Sequence, residues 1–461
     1  MTDIVRCISP VDHQILSERA LATPQDIEKT LEKSITAQYQ WQQFPLAKRQ
    51  QIIHQALDQF FLYKDDIAKD ITWQIGRPIS ASPAEVLGVI ERGRHMVDIA
   101  DHALKTHVPE ASPGIERFIE KEPIGIIAVI APWNYPYLTA INVIIPALVA
   151  GNAVVLKHAS QTLLCAERLF DIFSKTELPE GLFQYLHLSH QNTASLLQDR
   201  RIGFVNFTGS VPAGHQIQNS ISDRFIIAGL ELGGKDPAYV RSDANLDLSV
   251  ENLVSGSFFN SGQSCCGIER IYVHGDLYHP FLERFVETVK KLHLGDPTLP
   301  KTTLGPLVKT SAADFVRNQI SEAVRAGAIP HIEEAFFPKS TIDTPYLAPQ
   351  VLTSVDHSMR VMTEESFGPV VGIMKVNSDK EAIQLMNDSN FGLTASIWTA
   401  DSEKAKTIGR QIQAGTIFMN RCDYVDPSLA WTGVKDTGRG SALSKFGYDS
   451  VTRYKSYHLK G

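Results

Sequence analysis

At 461 residues the chain is too long for one compact core, and at roughly 150 residues per domain it implies about three. Its 43% hydrophobic and 21% charged residues suffice for packed interiors and exclude a disordered chain. Lys and Arg total 44 against 51 Asp and Glu, a net charge of −7 without a basic run, so no nucleic-acid partner is expected.

The opening MTDIVRCISPVDHQ has no basic stretch leading into an apolar one, so no secretory leader is expected and the cytoplasm is the expected compartment. Thr23-Pro24 is a helix start, and a helical pattern runs from there to about Asp101. Between Thr106 and Glu122 the sequence turns extended and punctuated. Pro123 to Leu156 carries no formal charge, but Pro132, Pro136, Pro146 and interior asparagines rule out one membrane-spanning helix. It reads instead as a strand (Ile124–Ala131), a loop (Pro132–Pro136), a buried helix to about Ala150, a Gly151-Asn152 stop and a strand (Ala153–Leu156). From 124 onward, short apolar runs such as FVNFT, FIIAGLEL and IYVHG alternate with helical stretches, the pattern of a parallel sheet covered by helices. A second block of the same kind follows about residue 233, and the closing SVTRYKSYHLKG reads as an exposed β segment. The expected fold class is α/β, with two lobes and an extended accessory element.

Five cysteines, at 7, 165, 265, 266 and 422, give neither a paired framework nor a C-x-x-C metal spacing, so reduced thiols and no metal are expected. Cys265, in FFNSGQSCCGIER, follows Gly262 and Gln263, which suggest a tight backbone approach. A thiolate there is a strong nucleophile, although a buried cysteine also serves as an inert core residue. Cys266 beside it reads as packing. Glu231, in GLELGGKDP, stands among apolar neighbours at a strand end, where desolvation would tune it as a general base; an edge glutamate facing water shares the pattern. Asn134, in PWNYP, offers either an amide N–H to an oxyanion or an Asx turn. Ser210, in FTGSVPAG, starts a helix with Pro212 in its first turn and free N–H groups for a pyrophosphate, although no G-x-G-x-x-G is present. Lys157 ends the strand AVVLK at the edge where open sheets bind ligands, as a contact or merely as a solvated lysine. Glu365, ahead of the FGP turn, is a surface charge or a hydroxyl-binding carboxylate.

Taken in order, PWNYP, LVAGNAVVLK, FTGS-x-x-x-G, LELGGK, F-x-N-x-G-Q-x-C, EESFGPV, NDSNFGLTASIWT and G-x-K-x-T-G-x-G resemble the aldehyde dehydrogenase superfamily over nearly the whole chain. The resemblance implies a Rossmann-like cofactor domain (1–100 and 124–232), an α/β catalytic domain (233–446) and a small bridging β element (101–123 and 447–461). It implies NAD or NADP as cofactor, a small-molecule aldehyde as substrate, and a homodimer or homotetramer paired through the bridging element. By the same resemblance Cys265 is the nucleophile, Glu231 the base for the deacylating water, and Asn134 with the Cys265 backbone N–H the oxyanion hole. Lys157 falls to the adenosine ribose, Gly209 and Ser210 to the pyrophosphate, Glu365 to the nicotinamide ribose with Phe367 beside it, and Trp133 to the cofactor wall. The implied chemistry is thiolate addition to the aldehyde, hydride transfer to the nicotinamide, and hydrolysis of the resulting thioester.

Three features depart from the family pattern. Ser160 stands where NAD-preferring members often carry a ribose-binding glutamate; without that carboxylate, and with Lys157 close by, NADP becomes admissible. Ala442 stands where many members carry a glutamate that helps position water. The matched substrate positions, Thr139, Asn142, Cys266, Val425 and Trp431, are less aromatic than a box for greasy aldehydes and hint at small or polar substrates. Two alternatives are a CoA-acylating relative, opposed by Glu231, and a catalytically idle one, opposed by Cys265, Glu231 and Asn134 together.

Overall fold

Before its helical body the chain makes a hairpin of β1 (Ile4–Ile8) and β2 (Ile15–Ala20), for which the sequence reading held no expectation. The computed structural model describes residues 3–461. Thr23 then starts the first helix as its sequence requires. Its Oγ1 accepts the Asp26 N–H at 3.2 Å and Asp26 accepts the Thr23 N–H at 2.9 Å, a capping box ahead of α1 (Pro24–Trp41). The helices α2 (Leu46–Leu62), α3 (Lys64–Ile75), α4 (Pro83–Asp98) and α5 (Ala100–Ala103) complete the expected helical stretch.

After the strand β3 (Ile115–Pro123), the uncharged stretch folds as read: β4 (Ile126–Ala131), α6 (Leu138–Val149) and β5 (Ala153–His158). Trp41 is fully buried and its indole N–H donates to the Leu148 carbonyl at 2.7 Å, pinning α1 to the end of α6. Among the described residues no helix is long and apolar enough to cross a membrane. The lobe continues through α7 (Leu163–Ser174), β6 (Phe183–Tyr185), α8 (His190–Gln198), β7 (Ile202–Thr208), α9 (Val211–Ser220) and β8 (Ile227–Glu231).

These strands form a parallel sheet in the order β8-β7-β4-β5-β6, and Gly438–Arg439 adds an antiparallel edge beside β8. The chain therefore starts mid-sheet at β4, grows outward to β6, and crosses back to lay β7 on the other side. That reversal opens a crevice between β4 and β7 at their C-terminal ends, the usual ligand position in a doubly wound sheet. Pro132–Asn134 leave one side of the crevice and Gly209-Ser210 the other.

The second lobe holds β9 (Asp236–Val240), α10 (Leu246–Phe258) and β10 (Ile268–His274). Its seven-stranded sheet runs Ile329–Pro330, Gln350–Thr353, Val370–Val376, β10, β9, Thr394–Trp398, Thr416–Met419, parallel except for the first pair. Because β9 follows Gly233-Gly234 and β10 follows Cys265-Cys266, the N-terminal ends of the central strands meet the C-terminal edge of the first sheet. The segment near the C-terminus returns to the first lobe, where Trp431, Ala442 and Leu443 join its buried core. Finally β3 pairs over its full length with Thr452–Lys460, and Phe118 stacks on Tyr457 at 4.4 Å.

Candidate active site

The Cys265 loop leaves α10 through three consecutive left-handed residues, Asn260, Ser261 and Gly262, with φ of 51°, 57° and 73°. Asparagine and glycine visit this region readily, whereas Ser261 has to be held there. Its hydroxyl donates to the Gly305 carbonyl at 2.8 Å, and the Gln263 Oε1 accepts the Val308 N–H at 2.8 Å. A Cβ at 262 would strike the Gly368 carbonyl, so only glycine fits. The turn delivers Cys265, half-buried, into the wall of a cavity of about 370 Å³.

A buried arginine sets this loop against the first lobe. Arg77 pairs with Glu85, donates to the Asn134 carbonyl, and reaches the Asn260 Oδ1 at 3.2 Å. Glu85 in turn accepts the N–H groups of Tyr137 at 2.8 Å and Leu138 at 3.2 Å, placing its charge at the start of α6. Asn134 is buried, and its Nδ2 donates to the Gln263 carbonyl at 3.2 Å, one residue from Ser264 and two from Cys265. It is not among the residues lining the cavity, although its neighbour Tyr135 is, and its second amide N–H has no acceptor among the described residues.

Glu231, the last residue of β8, lines the same cavity as Cys265. Burial pushes its carboxyl up to about 7, against the pull of the Thr208 hydroxyl at 3.4 Å and the charge of Arg92. All the matched substrate positions, Thr139, Asn142, Cys266, Val425 and Trp431, line this cavity too. Cys266 is more than packing: its thiol donates to the Asp423 Oδ1 at 3.1 Å, beside the Ser264 hydroxyl at 2.9 Å. The hydrogen bond with Cys265 and burial push the Cys266 thiol far up, so it keeps its proton. Ala442 exchanges backbone hydrogen bonds of 2.9 and 2.8 Å with Trp431. Next to it, behind Glu231, is a void of about 10 Å³, near the lower limit for one water molecule.

Gly233-Gly234 make the junction between the lobes possible. A Cβ at 233 would strike the Glu365 carboxylate, and one at 234 the Cys265 carbonyl oxygen. Glu365 accepts the Gly234 N–H at 2.8 Å; burial and the nearby Glu269 charge push it up to about 7. The buried Lys235–Glu269 pair fixes the following turn, because Glu269 accepts the N–H groups of Ser366 and Phe367, both at 2.9 Å. Phe367, at φ 51°, meets Trp133 edge to face with ring centroids 5.6 Å apart.

Of the groups assigned to the cofactor, Lys157 and the start of α9 lack protein partners among the described residues. Lys157 is half-buried at the end of β5, makes no ion pair among the described residues, and is lowered by desolvation. Ser160 is exposed three residues on. Gly209 donates to the Glu231 carbonyl at 3.0 Å, after which the N–H groups of Ser210, Val211 and Ala213 find no acceptor among the described residues. A groove of about 230 Å³ runs between α9 and Gly438–Arg439. An unpaired ammonium, unused donors at a helix start and a groove beside them suit a ligand with phosphates and ribose hydroxyls, so a nicotinamide dinucleotide fits.

Several residues that shape the site lay outside the sequence reading: Arg77, Glu85, Arg92, Asn260, Asp423 and the Lys235–Glu269 pair. One signal was available. Glu85 and Arg92 stand seven residues apart on α4, along the stripe that carries Val86, Val89 and Met96, where a helical period places charges on an apolar face.

Comparison with known proteins agrees with this geometry. The aldehyde dehydrogenase family matches residues 2–457. A Mycobacterium tuberculosis protein named succinate-semialdehyde dehydrogenase [NADP(+)] 1 is 31% identical over 456 residues, covering 98% of this chain and 99% of its own. A solved succinic semialdehyde dehydrogenase from Streptococcus pyogenes, in complex with NADP+, superposes with a TM-score of 0.94 at 28% identity over 99% of this chain and 100% of its own. An indole-3-acetaldehyde dehydrogenase complexed with NAD+ also gives 0.94 at 28% identity, over 100% of this chain and 94% of its own.

Gly234→Ala tests the junction: displacing the Cys265 carbonyl should lower stability by about 1–3 kcal/mol, measured by urea unfolding, and slow alkylation of Cys265. An unchanged midpoint with unchanged alkylation would show that the close approach is not required.

Proposed function

Because the chain belongs to the aldehyde dehydrogenase family, we propose that it oxidises an aldehyde to the acid through a thioester on Cys265, with Glu231 as base and Asn134 as an oxyanion donor. Membership makes it an NAD(P)-dependent oxidoreductase acting on the aldehyde group. The observation that carries the finer reading is one cavity lined by both a half-buried Cys265 and a Glu231 carboxyl poised at about 7.

The Cys265 sulfur adds to the carbonyl carbon, and the carbonyl pair moves to oxygen. The two donors assigned to that oxyanion, the Cys265 backbone N–H and the second Asn134 amide N–H, have no acceptor among the described residues, which supports the assignment. Lys157, Ser210, Glu365 and the Trp133–Phe367 wall would hold NAD or NADP, which would supply the acceptor for the hydride lost from the former aldehyde carbon as the thioester forms on Cys265. Glu231 then takes a proton from water; the hydroxyl oxygen bonds to the acyl carbon, and the C–S bond breaks to return the thiolate. Cys266 serves as a wall residue, since it keeps its proton.

The polar groups of Thr139 and Asn142 in the wall support a small, polar substrate, in keeping with relatives named for succinate semialdehyde. Ser160 in place of a carboxylate supports acceptance of NADP, the cofactor named for the same relatives. The five free thiols suit a reducing compartment such as the cytoplasm. In the two-stranded ribbon of β3 and Thr452–Lys460, His107 bridges the β3 edge at Ile119, while the Thr452–Lys460 edge, with Tyr454 65% exposed, is open to pairing, which supports a homodimer or homotetramer.

Five measurements test these points. Cys265→Ala should abolish turnover while keeping cofactor affinity, and Glu231→Gln should retain a burst of NAD(P)H but slow the steady state. In the wild type, deacylation should rise from pH 6 to 8 as the Glu231 carboxyl, near 7, loses its proton; a flat profile would remove Glu231 from that step. Ser160→Glu should lower kcat/KM with NADP relative to NAD by roughly tenfold or more, through repulsion of the 2′-phosphate; an unchanged ratio would place Ser160 away from the ribose. Light scattering should give a multiple of 51.1 kDa, and a monomer at micromolar concentration would overturn the assembly.

A further inference from the structure

We propose that Arg92 determines specificity in this cavity by holding the distal carboxylate of an aldehyde whose reactive end lies at Cys265. The inference rests on the catalytic reading of Cys265 above and adds to it the residue that selects a carboxylate tail.

Arg92 belongs to α4 and lines the cavity together with Gly88 of the same helix and Asn142 of α6. The Cys265 loop and Glu231 line the cavity from the ends of other elements, so one space joins Arg92 to the reacting sulfur. Arg92 is the only lysine or arginine among the lining residues. It makes no ion pair among the described residues; Arg77 and Arg168 each reach a carboxylate, and Arg49 and Arg270, which also lack one, are held by several main-chain carbonyls instead. Its only acceptors are neutral: Nη1 donates to the Asn142 Oδ1 at 2.9 Å and to the Leu138 carbonyl at 3.3 Å.

With Nη1 engaged by α6, the edge formed by Nε and Nη2 has no acceptor among the described residues. That edge carries two parallel N–H groups, which match the two oxygens of a carboxylate. The same molecule shows the match: Arg19 holds both Glu167 oxygens through its Nε and Nη2, at 2.6 and 2.8 Å. Burial without a counter-ion is costly for a guanidinium, and here desolvation lowers Arg92 from its ordinary value. The nearby acids offset this only in part: Glu231 and Glu85 act on it through charge without forming an ion pair, Glu91 in the same wall makes none with it, and Asp423 is engaged by Ser264 and Cys266. A monoanionic tail supplies the missing charge. A phosphate tail, with two charges, calls for more cations than the single one in this wall.

The test uses the full-length protein with 4-oxobutanoate and pentanal, aldehydes of similar length with and without the carboxylate. The wild type should favour 4-oxobutanoate in kcat/KM. Arg92→Gln should reduce that preference by about 10- to 100-fold, the span of one charge-assisted hydrogen-bonded pair, chiefly through KM. Arg92→Lys should recover part of it. Equal losses on both aldehydes, or a wild type without preference, would overturn the proposal. A second measurement needs no turnover: succinate should slow iodoacetamide alkylation of Cys265, followed by mass spectrometry, in the wild type and not in Arg92→Gln, while butyramide protects neither. Oxidation of both aldehydes without Arg92-dependent protection overturns the anchor and leaves the catalytic reading intact. Arg92-dependent protection in a protein that oxidises neither aldehyde supports the anchor and overturns the catalytic reading.

Discussion

The site depends on one buried guanidinium. Arg77 binds the Glu85 carboxylate, the Asn134 carbonyl and the Asn260 side chain, and these belong to α4, to the loop after β4 and to the turn that carries Cys265. A buried ion pair adds little stability by itself, but its hydrogen bonds have to be satisfied together, so it fixes a geometry. Here it locks the switch-point crevice of one sheet to the entry of the central strand of the other. The left-handed run at Asn260–Gly262 is strained in the absence of such a clamp, and Ser261 is the residue that has most to lose.

Around that clamp, charge is arranged by burial. Two carboxyls, Glu231 and Glu365, are pushed to about 7 on opposite sides of Gly233-Gly234, where each is able to change protonation state near neutrality. Two cations, Arg92 and Lys157, are desolvated without an ion-pair partner among the described residues, one in the wall of the cavity that Cys265 and Glu231 line and one at the end of β5. The adjacent thiols are divided by the same logic. Asp423 gives Cys266 somewhere to send its hydrogen, and the first cysteine is left to the cavity.

Much of this was legible in the sequence, and for local reasons. The alternation of strand and helix from 124 to 156 is written in prolines, a Gly-Asn stop and uninterrupted apolar runs, and the structure follows it closely. Loops at strand ends carry the chemistry, and their motifs are contiguous, so PWNYP, FTGS and LELGGK point to the right edge of the sheet. The hairpin of β1 and β2 escaped because its short strands mix exposed and buried residues without a clean alternation. Arg77 escaped for a different reason: its partners lie 8, 57 and 183 residues away, and no local pattern encodes such a convergence. Arg92 lay inside a stretch read only as helical, and its place in the cavity wall with a free guanidinium edge is seen only in three dimensions.

The contacts at Gly234 and Gly262 carry a consequence for how such a molecule diversifies. Main-chain carbonyls occupy the places where a methyl group would have to stand, so any exchange at either position adds atoms to filled space. The Cys265 side of the cavity is thus drawn by backbone shape and tolerates no drift there. The far wall, by contrast, is drawn by side chains projecting from α4 and α6, where one residue is swapped for another without moving the main chain. A frozen hearth and an interchangeable door let one scaffold meet new molecules without relearning its chemistry.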